Sequence, residues 1–224
     1  MYWSKRILCM VILGIWGQLQ AQVLLSRSHI FGPSLSYGLG MGKEKTLDDI
    51  TAMRSMGSSS QLGFHYYRNV YGGLWAGGAL SHQTYRWNFT THPQASPGYR
   101  PRTRYGIQSQ FISMPMGLMQ YIGETQGRAF VQLGVTPSYL TRKTLLRKQE
   151  LDEDSTGFAT LDTRDAYQRF GMGFYMGIGI EFETYDNMYA RFSLQIHNQY
   201  VRRKSHSVDR VSGVFLTAQY FWVQ

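Results

Sequence analysis

The sequence predicts an all-β fold: an eight-stranded antiparallel up-and-down transmembrane β-barrel. Three observations carry this. An export signal opens the chain, eight segments alternate apolar with small or polar residues, and long and short connections alternate strictly between those segments. Composition agrees, since 24 glycines, 15% aromatic and only 17% charged residues suit a β protein. Glycine without a three-residue period excludes collagen. The single cysteine, Cys9, cannot form an intramolecular disulfide, and no Cys/His spacing of zinc type occurs. No metal and no cofactor is expected.

The export signal comes first. Lys5 and Arg6 form a positive region, Ile7 to Gly17 an apolar run, and Gln18-Leu19-Gln20-Ala21 a site ending in a small residue. Eleven apolar residues span about 16 Å as a helix, short of the ~30 Å hydrocarbon core, so a membrane anchor is disfavoured. Residues 1–21 are expected to be a signal peptide cleaved after Ala21, and residues 22–224 the barrel domain. Losing Lys5 and Arg6 lowers the formal charge from +9 to +7. Export makes nucleic acid an improbable partner for the basic balance.

The strands follow in order. Phe31, Leu35, Tyr37 and Leu39 oppose Gly32, Ser34, Ser36 and Gly38; Leu62, Phe64 and Tyr66 oppose Gln61, Gly63, His65 and Tyr67. Residues 73–89 form a strand with small residues on both faces, so its orientation stays open. Ile112, Met114, Met116 and Leu118 oppose Ser113, Pro115, Gly117 and Met119. Ala129, Val131, Leu133 and Val135 oppose Arg128, Gln132, Gly134 and Thr136. The last three segments set Met172 to Phe182, Ala190 to Ile196 and Val214 to Trp222 against their alternate neighbours. The links at 68–72, 123–126 and 185–187 are short. Those at 43–57, 90–103, 142–168 and 202–210 are long and polar, as in barrels with periplasmic turns and extracellular loops.

A soluble lipocalin-type barrel also meanders. The second face decides against it. Gly, Ser, Gln, Glu, Arg and His there suit a narrow interior, while Tyr37, Tyr66, Tyr139, Tyr220 and Trp222 lie toward the ends of the apolar face, as interfacial girdles require. The expected home is the outer membrane, reached as a monomer through a barrel-assembly machinery that reads the aromatic C-terminal strand.

Eight strands leave an interior that side chains can fill. Interior ions should then be paired. A three-residue link at 185–187 sets Glu181 opposite Arg191 and Glu183 opposite Tyr189; a slip of two residues sets Glu183 opposite Arg191. Glu181, Glu183, Arg191, His197, Gln195 and Tyr175 are thus expected to form an interior polar network. A proton relay is the functional alternative to a structural plug. The motifs His197-Asn198-Gln199 and Ser205-His206-Ser207 are the candidates for catalysis, but neither supplies a nucleophile, base and orienting acid in recognisable order. No enzyme is expected.

Other segments carry weaker signals. Pro115 marks a bulge or a missing ladder bond. Pro93, Pro97 and Pro101 stiffen the second long loop, and Thr46 opens a short helical stretch containing Leu47, Ile50 and Met53. In 142–168, Arg142, Lys143, Arg147 and Lys148 precede Glu150, Asp152, Glu153 and Asp154, so opposite charges on two arms would fold a hairpin above the membrane. Basic residues crowd the long-loop ends, including Arg86, Arg100, Arg102, Arg104, Arg169 and Arg210. Arg142, Lys143, Arg202, Arg203 and Lys204 are expected to meet lipid phosphates, those of lipopolysaccharide foremost.

Three segments carry a family resemblance: Phe111-Ile-Ser-Met-Pro-Met-Gly-Leu-Met-Gln-Tyr, Ala129-Phe-Val-Gln-Leu-Gly-Val-Thr-Pro-Ser-Tyr and Gly171-Met-Gly-Phe-Tyr-Met-Gly-Ile-Gly-Ile-Glu-Phe. With the signal ending Gln20-Ala21-Gln22, they resemble the fourth, fifth and sixth strands of PorT-like outer-membrane β-barrel proteins, common in Bacteroidota. The likeness spans the mature chain. Ser113 and Met119 depart from it, standing where the family often carries an acid and a lysine. The resemblance implies an outer-membrane barrel and, from the founding member, assistance to type IX secretion. The expected function is non-enzymatic, a structural or surface-interaction role. The alternatives are a secretion accessory, small-solute permeation and lipid A modification.

Overall fold

The computed structural model describes residues 28–43, 55–91, 103–122, 127–152, 155–185, 187–204 and 208–223. The strands are β1 (His29–Lys43), β2 (Ser55–Tyr71), β3 (Leu74–Thr91), β4 (Thr103–Ser113), β5 (Met116–Ile122), β6 (Gly127–Asp152), β7 (Ser155–Asp162), β8 (Phe170–Tyr185), β9 (Met188–Arg202) and β10 (Val208–Val223). All pairings are antiparallel, and β1 joins both β2 and β10, which closes the sheet on itself. β4 and β5 form one stave interrupted at Met114-Pro115, and β7 pairs β6 alone. The ring therefore has eight staves.

Pro115 breaks its stave because it has no N–H to give. The neighbouring chains close the gap: Ala79 N–H donates to the Pro115 carbonyl at 2.8 Å, and Met114 N–H donates to Pro137 at 2.9 Å. Two short turns use left-handed backbone, at Gly72 (φ 52°) and Asn187 (φ 60°), where glycine and asparagine are the residues least strained.

Barrel geometry follows from the register. Starting at Phe31, partners run through Tyr66, Gly78, Met116, Val135, Phe174, Asn198 and Ser212, and return to β1 at Met41. The circuit has climbed from residue 31 to residue 41. At ~3.3 Å per residue this rise is about 33 Å, against a girth of about 38 Å for eight staves ~4.8 Å apart, so the strands lean about 40°.

The apolar side of every stave faces out. Leu35, Leu62, Leu133, Ile178 and Leu216 are each about 60% exposed, while their neighbours Ser34, Ser36, Gln61, Gln132 and Thr217 are buried. A soluble barrel would invert this. Aromatics flank the apolar band at both ends. Phe31, Tyr66, Phe182, Tyr220 and Trp222 lie toward the short-turn end, and Tyr37, Tyr139, Phe170 and Tyr200 toward the other.

The third stave, whose orientation the sequence left open, turns Trp75, Ser81, Gln83, Tyr85 and Trp87 inward. The interior is accordingly more aromatic than the expected filling of small and hydrogen-bonding groups. One apolar cluster, with Trp75, Met119, Tyr121, Phe130 and Phe221, fills the short-turn end; another, with Tyr85, Trp87, Phe111, Leu140 and Phe215, fills the long-loop end. Inward glycines make space for these rings. A Cβ on Gly42 would stand 2.4 Å from Trp87 Cε2 and 2.6 Å from its Nε1. Gly42→Ala is expected to destabilise the barrel by roughly 1–3 kcal/mol through overpacking, and Trp87→Leu in the same chain to recover part of that loss. Urea unfolding measures both; an unchanged midpoint for Gly42→Ala would show that the indole yields freely.

Strands continue past the girdle, so the long loops are shorter than expected. β3 runs to Thr91, and β6 reaches Asp152 before turning into β7. Residues 142–168 do fold as a hairpin, but not for the expected reason. Arg142, Lys143, Arg147, Lys148, Glu150 and Asp152 all lie on the β6 arm, and Lys148 pairs with Phe158 rather than with an acid. Ladder bonds join the arms. The signal peptide, the helical stretch after Thr46 and the prolines 93, 97 and 101 fall outside the described residues.

Candidate functional site

Two ionic clusters occupy the lumen, one in each half. The lower forms because a short turn at Asn187 sets β8 against β9 with Glu181 opposite Arg191. Arg191 Nη2 donates to Glu181 Oε2 at 2.9 Å and to Tyr121 Oη at 2.9 Å, and Nη1 donates to Gln219 Oε1 at 3.1 Å. Tyr121 Oη in turn donates to Glu181 Oε2. Both ionic side chains are sealed from solvent, at 1% and 2% exposure, so the attraction between them is screened very little. The guanidinium also packs among rings, 4.5 Å from the Phe221 centroid and 4.7 Å from that of Phe130. A void of only about 10 Å³ beside Arg191, lined by His65, Tyr67, Gln219 and Phe221, has room for about one water.

Above this cluster, His197 Nε2 lies 2.9 Å from Gln195 Oε1, and Gln195 Nε2 donates to Ser193 Oγ at 2.9 Å. Tyr175 stands opposite His197, with ring centroids 5.6 Å apart. Inward Gly117 and Gly134 admit the Tyr175 ring: a Cβ on either would come within 2.7 Å of it. Glu183 stands apart from the other five network residues. It is exposed near the short turn, where the register shifts between Glu183 and Tyr185.

The second ionic cluster seals the long-loop end. Asp209, 1% exposed on β10, receives Lys143 Nζ at 3.3 Å, Arg203 Nε at 3.1 Å and Tyr167 Oη at 2.8 Å, all on Oδ2. Lys143 Nζ also sits 3.9 Å from the Tyr167 ring centroid. Tyr167 hangs from the strap 163–169, a single 3-10 turn at Arg164–Ala166 tied to β9 by Gln168 N–H to Arg202 O at 2.8 Å and Lys204 N–H to Ala166 O at 3.0 Å. Lys143 and Arg203 therefore point into the lumen instead of toward lipid, which corrects their expected placement. A bulge opposite Gln110 inserts Thr141, reverses the β6 alternation and sends Lys143 inward. Arg142, Arg202 and Lys204 remain exposed.

The structure describes the first of the two catalytic candidates. His197 is buried among rings, its neighbour Asn198 faces the opposite side, and Ser205, His206 and Ser207 lie outside the described residues. Among the described residues no three His, Cys, Asp or Glu side chains gather as metal ligands. Asp209 escaped sequence reasoning, although its alternation with Val211, Gly213 and Phe215 placed it on the inner face.

A family model for the outer membrane protein beta-barrel domain matches residues 20–200. The chain belongs to that family. This outer membrane barrel is also similar to several solved structures. The attachment invasion locus protein Ail of Yersinia pestis is 13% identical, with 87% of this chain and 99% of that one covered and a TM-score of 0.36. Neisserial surface protein A, NspA, is 12% identical, with 86% and 97% covered and a TM-score of 0.39. OprG of Pseudomonas aeruginosa is 12% identical, with 88% and 96% covered and a TM-score of 0.42. No curated protein matches the sequence of this barrel. It resides in the outer membrane; in outer-membrane barrels short turns generally face the periplasm and longer loops the outside.

Proposed function

We propose that this outer membrane barrel is a non-enzymatic structural and surface-interaction protein. The observation that carries the reading is the filled lumen: among the described residues, aromatic clusters occupy both ends and ion pairs stand in each half. What projects outward is the β6–β7 hairpin, whose pairing continues to Ser155 opposite Asp152. A stiff sheet of that kind offers a partner a fixed surface at low ordering cost. Planar bilayers containing the purified protein are expected to show no conductance above the lipid baseline. Channels of reproducible unit conductance would overturn the reading in favour of solute permeation.

A second reading, accessory to type IX-like protein secretion, rests on the PorT-like resemblance. It is supported by the stave positions of the resembling segments: 111–121 on the fourth stave, 129–139 on the fifth and 171–182 on the sixth. Deleting the gene and measuring secreted cargo separates the two readings, because only the accessory role predicts a loss. In both, the protein acts as a monomer, and its aromatic strand β10 addresses it to the barrel-assembly machinery.

A further inference from the structure

Four arginines on neighbouring staves stand at one level on the lipid-facing wall, directly above the upper aromatic belt. Arg142 is the first outward position above Tyr139 on β6, and Arg169 adjoins Phe170 at the start of β8. Arg202 is the next outward position above Tyr200 on β9, and Arg210 stands opposite Tyr200 on β10. All four are exposed. Among the described residues no carboxylate forms an ion pair with Arg142, Arg202 or Arg210.

Two of the guanidiniums are held in position. Arg210 donates through Nε and Nη2 to Asn198 Oδ1 at 3.0 and 2.6 Å, which leaves Nη1 directed elsewhere. Arg169 Nη1 donates to Tyr139 Oη at 2.9 Å. This explains Asn198, an amide on the outer wall yet only 6% exposed: it is the platform beneath Arg210. Guanidiniums held in place in this way are preorganised for an anion, and phosphate is the anion their planar fork grips best. Four adjacent staves span about 14 Å, more than a single phosphate bridges. Below the arc the wall is apolar, with Phe174, Met176, Leu194 and Ile196 facing out.

We propose that this arc binds a bisphosphorylated lipid of the outer leaflet, the lipid A portion of lipopolysaccharide, with its phosphates on the arginines and its acyl chains along the wall beneath. The site goes beyond the surface role proposed above and stands whether or not the lumen conducts.

The test titrates the full-length purified protein in detergent with bisphosphorylated lipid A, with the same lipid after removal of both phosphates, and with inorganic phosphate. The phosphorylated lipid is expected to bind at least about tenfold more tightly than the dephosphorylated one, and the triple variant Arg142→Gln/Arg202→Gln/Arg210→Gln to lose about that factor. Arg68→Gln, on the outer wall at the opposite end of β2, is the control and should bind as wild type. The heat-induced gel shift of the folded barrel checks each variant; if the triple variant does not fold, Arg202→Gln alone is expected to weaken binding several-fold. Equal affinity for the two lipids, full affinity in the arginine variants, or an equal loss in Arg68→Gln would overturn the proposal. So would inorganic phosphate displacing lipid A at equal concentration, which would mark a general anion site.

Discussion

Replacing Arg191 with Met is expected to cost roughly 3–5 kcal/mol and to lower the melting temperature sharply. The substitution strips Glu181 of the guanidinium it is paired with and leaves a carboxylate, 2% exposed, hydrogen-bonded to Tyr121. A methionine fits among Phe130, Phe221 and Tyr67, so the penalty is electrostatic rather than steric. Adding Glu181→Met to Arg191→Met should therefore return much of the lost stability, because an apolar pair needs no charge compensation. Thermal unfolding of the wild type, both single variants and the double variant measures the coupling. A wild-type melting temperature for Arg191→Met would mean that Arg191 lies outside the lumen. A double variant no better than the single would show that the cluster contributes through packing.

Asp209→Ala should act at the other end with comparable force, about 3 kcal/mol or more, since it leaves the buried Lys143 ammonium without its carboxylate. Its second effect is local. Tyr167 loses the carboxylate that draws it into the mouth, and the strap 163–169 keeps its backbone ties to β9 and β6 and the side-chain bonds of Thr163 to Lys143 O and of Arg169 to Tyr139. Limited proteolysis of whole cells should then cleave near Arg164 or Arg169 in the variant and spare the wild type. Protection equal to wild type would assign the strap's order to those remaining ties.

The parts of this architecture that one solvent boundary dictates were legible in the sequence. Lipid accepts only apolar side chains, so Leu35, Leu62, Leu133 and Ile178 mark the outer face with a period of two, and Ser34, Gln61 and Gln132 mark the inner one. The short link at 185–187 likewise narrowed the partner of Arg191 to Glu181 or Glu183, and the structure has Glu181. Where that boundary blurs, the pattern fails. The third stave places Ala76 and Gly78 outside against Gly77 and Ala79 inside, and small residues have no side; its inward Trp75, Tyr85 and Trp87 resemble girdle aromatics until the register is known. Lys143 was misplaced because one inserted residue, Thr141, reverses the alternation, and nothing in the local sequence announces a bulge. Glu183 has inward parity but sits beside a turn, where the lumen ends. The ligand-facing arc was half legible: Arg142 and Arg202 were read as phosphate contacts, whereas the anchoring of Arg210 on Asn198 required two strands in register.

The seam between β1 and β10 has a kinetic meaning. Ile30 pairs with Val223, so the bonds that close the ring join the first and last strands of the meander. Contacts so distant in sequence are slow to find, and none of them can form before β10 has been made. Until that moment both terminal strands present bare amide edges, an invitation to aggregate in water. A ring that closes within the bilayer never offers those edges to water, so this topology favours completing the fold there.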